Sequence, residues 1–147
     1  MSVIEDEFNA AVNIIQNLPQ EGVISIDPSL KLSLYGWYKI ATEGDNTTEK
    51  PPLWHLQSRT KWHIWNDLNG TCEIEAKEKY VLELKKLLKH IFKTQDISKI
   101  LESDMSFTEK IPKKDIQIIL NGIKTEKNLS EKERTDILKM YTDFFKI

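Results

Sequence analysis

The 147-residue sequence has little cysteine, little glycine and no long apolar run. Its single cysteine, Cys72, excludes an intrachain disulfide and a cysteine-rich zinc site, and it favours a reducing compartment. The five glycines are scattered, so the chain has no glycine-rich loop of the kind that holds phosphates. No apolar stretch approaches the roughly 20 residues that a membrane-spanning helix needs. The sequence therefore predicts no transmembrane segment.

An excess of charge of one sign is also lacking. The chain carries 21 Lys and Arg residues against 23 Asp and Glu residues, for a net charge of −2. A strongly basic nucleic-acid-binding protein is excluded, because its phosphate contacts require a clear cationic excess. The first residues, MSVIEDEFNA, are acidic, which argues against a secretory n-region or an Arg-rich transit peptide. We predict a soluble, cytoplasmic protein with no nucleic-acid partner.

Side chains that could catalyse a reaction form no recognisable pattern. The three histidines, His55, His63 and His90, lack the i, i+4 spacing of a helical metal site. Cys72 has no identifiable histidine partner, and the serines stand in no nucleophile-elbow sequence. We therefore predict no catalytic residue, no metal site, no cofactor and no enzymatic activity.

Apolar residues recur at helical spacing along most of the chain, whereas strand-like alternation is nearly absent. This pattern predicts an all-α protein with a four-helix bundle in residues 1–95. The apolar positions of the four helices are Phe8, Ala11, Val12, Ile15 and Leu18; Leu30, Leu34, Trp37 and Ala41; Trp62, Trp65 and Leu68; and Ala76, Tyr80, Leu84, Leu87 and Ile91.

Capping residues mark several helix boundaries. Asp27 followed by Pro28 is typical of a helix start, with a carboxylate at the N-cap and proline at the first helical position. Gly44 is a suitable C-cap for the same helix. We expect the third helix to end at Asn69-Gly70 and Thr71 to cap the fourth.

The chain after residue 95 differs from the first part, since all four tryptophans lie between positions 37 and 65. Two further amphipathic helices are predicted in residues 96–147, the second beginning with a capping box formed by Ser130 and Glu133. Because about fifty residues alone would have a marginal core, we expect this extension to pack on the bundle or on a partner. The apolar positions are Ile116, Ile119, Leu120 and Ile123, and then Ile137, Leu138, Tyr141, Phe144 and Phe145.

Aromatic and cationic residues concentrate on consecutive helices. The stretch LYGWYKIATEGD, residues 34–45, places Tyr35, Tyr38 and Lys39 on one helix face. Ammonium groups beside aromatic rings and an apolar floor would suit a phosphorylated nucleotide that carries an apolar tail. The competing interpretation, which periodicity alone favours, is that the rings are core residues and the lysines extend past them to water. The remaining members of the set are Arg59, Lys61, Trp62 and Tyr80.

Four stretches together resemble a known family. LYGWYKIATEGD is followed by EKP, by KWHIWNDLNGT at residues 61–71 and by EAKEKY at residues 75–80, and the register holds without a gap. The set resembles the acyl-CoA-binding protein family, whose members typically read LY-x-x-YKQAT-x-GD, a proline, KW-x-AW-x-x-L-x-G and a later tyrosine. The similarity covers approximately residues 4–93. The chain departs from the family pattern at Gln16, Ile40, Pro52, Trp54 and His55.

The resemblance implies a four-helix bundle that carries long-chain acyl-CoA esters and performs no reaction. The expected partners are these esters, the enzymes that use them and a partner of the C-terminal extension. Arg59 is an additional candidate for ligand contact. The resemblance assigns the other residues in three groups: Tyr35, Lys39 and Lys61 to the ribose 3′-phosphate; Tyr38 and Tyr80 to the adenine and the rest of coenzyme A; and Trp62 and Ala11 to the acyl path.

An alternative function stays open at this point. The bundle could serve as a protein-interaction module that recruits a partner through residues 96–147. Gln16 and Ile40 favour this alternative, because they replace a basic residue and a glutamine that the family often has at those positions.

Overall fold

The computed structural model describes residues 3–17, 26–94 and 113–124, together with residues 130–132, 134–135 and 138–139. Over these residues the fold is helical and contains no strand. The chain divides into two compact units, one formed by Asp27–Glu83 and the other by Met1–Ile26 with Leu84–Ile147. The five helices with defined bounds are α1 (Val3–Gln16), α2 (Pro28–Glu43), α3 (Leu56–Asn66), α4 (Glu73–Thr94) and α5 (Lys113–Lys124).

Both predicted ends of α2 are confirmed. The Asp27 carboxylate accepts hydrogen bonds from the Ser29 backbone N–H and the Ser29 hydroxyl, each at 2.7 Å, and Pro28 begins the helix. These bonds lower the pKa of Asp27, so the cap stays ionised at neutral pH. Gly44 ends the helix with φ of 80°, a left-handed conformation that suits glycine.

The helices α2 and α3 pack closely against each other within the first unit. A Cβ atom at Gly36 would lie 2.8 Å from Cδ1 of Leu68 and 2.9 Å from Cγ2 of Ile64, closer than packed carbons approach. A larger residue at position 36 would therefore require the Leu68 and Ile64 side chains to shift. Ile40, which departs from the family pattern, is 2% exposed and fills the core. Trp37, one of the apolar positions predicted for this helix, is half-buried.

The end of α3 and the start of α4 differ slightly from prediction. The α-helix ends at Asn66 rather than at Asn69-Gly70, because the next residues continue as tight turns. The Leu68 and Asn69 backbone N–H groups donate to carbonyls three residues earlier, at 3.1 Å each. The Cys72 carbonyl accepts the N–H of Ala76 at 3.0 Å, so Cys72 occupies the N-cap position that we predicted for Thr71.

Within the second unit, α5 of the extension lies against α1. Three apolar side chains that define the predicted helix are buried: Ile116 and Ile119 are fully covered, and Leu120 nearly so. Asn13 of α1 donates a side-chain hydrogen bond to the Asp115 carboxylate of α5 at 3.3 Å. The expectation that this part of the extension packs on the rest of the chain is confirmed.

A second contact between α1 and α5 depends on a glycine. A Cβ at Gly122 would lie 3.0 Å from Oε1 of Glu7, and the same carboxylate pairs with the ammonium group of Lys85 at 3.5 Å. The absence of a side chain at Gly122 thus leaves room for Glu7 beside α5.

The second helix of the extension is described only in part. The Arg134 backbone N–H donates to the Ser130 carbonyl at 2.9 Å, which confirms a helix start at Ser130. The predicted partner Glu133 lies outside the described residues, as do Ile137 and the three aromatic positions from Tyr141 onward.

Replacing Ile119 with alanine should destabilise the full chain by about 3 kcal/mol, because it leaves a cavity in a buried contact. The exposed Lys114 on the same helix provides the control, and Lys114→Ala should change stability by less than about 0.5 kcal/mol. Urea unfolding followed by circular dichroism measures both. Equal stabilities of Ile119→Ala and the parent chain would show that α5 does not contribute to the core.

Candidate functional site

The structure brings together three of the predicted ligand-binding residues in the Asp27–Glu83 unit. Tyr35 and Lys39 lie one turn apart on α2, and Lys61 faces them from α3. The Lys61 ammonium lies 5.4 Å from the centre of the Tyr35 ring, and the Lys39 ammonium lies 5.8 Å from the same centre. We call this set the two-lysine cluster. Two cations beside one ring concentrate positive charge at this point, and binding of an anion there stays a prediction.

Lys39 has further partners within the cluster. Its ammonium group pairs with the Glu43 carboxylate one turn later and lies 5.0 Å from the Trp65 ring centre. The hydrogen bond to Glu43 raises the pKa of Lys39, so this cation is charged throughout the physiological range. The Lys39 side chain is 25% exposed, which leaves it accessible to a ligand. An anion that binds Lys39 must compete with Glu43.

Trp65 packs beside the two-lysine cluster. The sequence analysis did not assign it a role there. Its indole N–H donates to the Gly44 carbonyl at 2.8 Å, and its ring is buried. This hydrogen bond links α3 to the end of α2. The Lys39 ammonium lies over the face of the same ring in a cation–π contact. The sequence did contain a signal for this position. Trp65 follows Lys61 by four residues, so the two side chains share one face of the helix.

Tyr38 and Tyr80 form an aromatic pair between α2 and α4. Their ring centres are 6.4 Å apart, with the planes tilted by 51°. Tyr38 is 36% exposed, whereas Tyr80 is 3% exposed. Burial raises the pKa of Tyr80, so its hydroxyl stays neutral. The Tyr38 ring is therefore accessible to a ligand, and the buried Tyr80 ring packs against it.

Two other predicted residues hold the loop between α2 and α3. The Trp62 indole N–H donates to the Thr48 carbonyl at 3.0 Å, and the Arg59 guanidinium donates to the Pro51 carbonyl at 2.9 Å. The Asn46 side chain adds a third link by donating to the Trp62 carbonyl at 3.3 Å. These contacts fix the loop on α3.

The remaining predicted residue, Ala11, is fully buried on α1 and belongs to the other unit.

An open groove of about 610 Å³ lies between α2 and α3, beside the two-lysine cluster. Tyr35 and Lys61 belong both to the cluster and to the groove wall. Trp62 and Arg59 are not among the lining residues. Sequence reasoning missed the other six lining residues, although two of them, Lys31 and Gln57, stand four residues before Tyr35 and Lys61. The full lining comprises Pro28, Lys31, Leu32, Tyr35, Leu56, Gln57, Thr60 and Lys61.

Other kinds of site are not found in the described part of the chain. No group of three or more His, Cys, Asp or Glu side chains there could hold a metal ion. Cys72 is exposed. Among these residues, no helix combines the length and the apolar character that crossing a bilayer requires.

Comparison with known proteins gives a consistent result. The family model described as "Acyl CoA binding protein" matches residues 5–84. "Acyl-CoA-binding protein homolog 3" of Caenorhabditis elegans is 35% identical over 99 residues, which make up 67% of this chain and 85% of the relative. "Acyl-CoA-binding domain-containing protein 5" of Bos taurus is 38% identical over 100 residues, 68% of this chain. The matched part is only 19% of the bovine protein.

Two solved structures are similar in fold. The crystal structure of ACBP from Moniliophthora perniciosa matches with a TM-score of 0.59 and 34% identity, covering 68% of this chain and 91% of that one. The crystal structure of Oryza sativa Acyl-CoA-Binding Protein 2 matches with a TM-score of 0.54 and 34% identity, covering 59% and 90% respectively.

Fold and site together define a helical domain with two clustered lysines beside an apolar groove. The chain belongs to the acyl-CoA-binding protein family. The predicted family and the predicted fold class, an all-α acyl-CoA-binding-protein-like bundle with additional helical structure after it, are both confirmed.

Proposed function

We propose that this protein binds long-chain acyl-CoA esters, without catalysing a reaction, and carries or buffers them in the cytoplasm. The observation that carries the proposal is the two-lysine cluster at the side of a groove with apolar walls. Membership in a family of binding proteins supports it. The domain that performs this function is assigned to residues 1–95.

The ribose 3′-phosphate of coenzyme A would bind at the two-lysine cluster. Lys39 and Lys61 supply charge-assisted hydrogen bonds, which are the strong ones in proteins, and the Tyr35 hydroxyl supplies another donor. A phosphate dianion offers more charge and more acceptor atoms than the Glu43 carboxylate, so it would displace Glu43 from Lys39. The cluster thus distinguishes a phosphorylated coenzyme from a free fatty acid.

The adenine would lie against the exposed face of Tyr38, since flat rings gain from stacking in this way. Tyr80 packs behind Tyr38 and would contact the coenzyme through its neutral hydroxyl.

The acyl chain would follow the groove between α2 and α3, where Pro28, Leu32 and Leu56 provide the apolar surface. Trp62 and Ala11 remain proposed contacts of the acyl chain on the family resemblance, and Arg59 remains a further candidate. The observed packing does not favour the alternative of an interaction module, because the apolar face of α5 is already buried against α1.

Replacing Lys39 and Lys61 with alanine together should weaken binding of palmitoyl-CoA by about 3 kcal/mol or more, or about 100-fold, since each lysine loses a charge-assisted contact. Calorimetric titration measures the loss. The same variant should bind palmitoyl-3′-dephospho-CoA nearly as well as the parent chain does, because that ligand lacks the phosphate.

The matched control removes two exposed lysines, Lys79 and Lys114, and should leave both affinities unchanged. An equal loss for the two ligands in the Lys39 and Lys61 variant would refute the assignment of the phosphate to this cluster.

Affinity should rise with acyl length by about 0.8 kcal/mol for each methylene that the groove buries, and then level off once the groove is full. Titrations with acyl-CoA esters from eight to twenty carbons, at about two-carbon steps, measure the slope and the plateau. Free fatty acids of the same lengths serve as controls and should bind far more weakly. Identical affinities across the series would contradict burial of the acyl chain.

A further inference from the structure

The loop between α2 and α3 and the first residue of α3 carry three exposed apolar side chains. Only one of them, Leu56, lines the groove of the proposed function. Leu53 is 69% exposed, Trp54 is 78% exposed and Leu56 is 74% exposed. We call these three residues the apolar tip. Single exposed apolar residues are ordinary, but three large ones within four positions form a patch of the kind that marks an interaction site.

The backbone around the apolar tip is firmly braced. Pro51 and Pro52 restrict the chain, and the His55 N–H donates to the Pro52 carbonyl at 3.0 Å, which closes a turn at Leu53 and Trp54. The Arg59 guanidinium holds the Pro51 carbonyl from α3. Exposure of the tip is therefore a property of its folded conformation.

The surrounding charge indicates what the tip contacts. Residues 49–61 contain Lys50, Arg59 and Lys61 against a single acidic residue, Glu49, so their net charge is +2 while the whole chain carries −2. Tryptophan and leucine flanked by cations are typical of surfaces that insert at the boundary of an anionic bilayer, where the indole lies at headgroup level.

Leu56 connects the apolar tip to the groove, because its exposed side chain also forms part of the groove wall. A flat lipid surface that covered the tip would therefore meet the edge of the groove. We propose that the apolar tip is a peripheral docking site for an anionic lipid bilayer and that docking presents the groove to the membrane surface.

The test uses the full chain without acyl-CoA, so its outcome does not depend on the proposed ligand. Flotation with vesicles of phosphatidylcholine and phosphatidylserine should recover the parent protein, and pure phosphatidylcholine vesicles should recover much less of it. Replacing Leu53 and Trp54 with serine should lower the partition coefficient on the anionic vesicles at least about tenfold. The matched control replaces two exposed apolar residues elsewhere, Val3 and Ile74, with serine and should bind like the parent chain.

A second measurement follows the tip directly. Vesicles with brominated acyl chains should quench part of the tryptophan fluorescence of the parent chain, and the Trp54→Phe variant should lose that quenched part. Thermal unfolding of all variants checks that they are folded. Failure of the parent chain to float, or equal flotation of the Leu53 and Trp54 variant, would overturn the proposal. The proposal would also be overturned if the apolar tip bound a protein partner in the absence of lipid and the chain did not bind vesicles.

Discussion

The close packing of α2 on α3 is the constraint on which the site depends. Gly36 allows the two helices to approach until Ile64 and Leu68 fill the space where a Cβ would stand. At this separation Lys61 reaches the ring of Tyr35. The Trp65 indole then ties α3 to the last turn of α2 through the Gly44 carbonyl. A wider separation would keep every residue of the cluster but would disperse its positive charge, so the site arises from packing as much as from composition.

Electrostatic balance within the cluster shows how a chain with net charge −2 could hold the phosphate group that we propose as its ligand. The cations are few, but aromatic rings and partial burial keep them in a small volume where screening by water is reduced. Glu43 pairs with Lys39, and an ion pair one helical turn apart contributes only modestly to stability. In the proposed site, a ligand with two negative charges would gain more from the cluster than Glu43 does, which would favour phosphorylated ligands over single carboxylates.

Much of the fold could be predicted because its signals are local. The caps of α2 at Asp27 and Gly44 and the apolar face of α5 follow from spacing and capping chemistry. The partner of α5 was predicted only as the bundle or another protein, since packing between helices distant in sequence leaves no periodic trace. Lys39 and Lys61 stood out because the family motif contains them, whereas the support from Trp65 depends on a long-range bond. The exposure of Trp54 likewise depends on the turn and on Arg59.

The measurement that tests the central claim most directly is the titration of the ligand phosphate itself. A phosphate monoester has a second pKa of about 6, and two adjacent ammonium groups stabilise its dianion. Phosphorus NMR of bound palmitoyl-CoA should therefore show the 3′-phosphate pKa lowered by about one unit or more relative to the free ester. A bound ester whose 3′-phosphate titrates as it does in water would contradict the two-lysine cluster as the phosphate site.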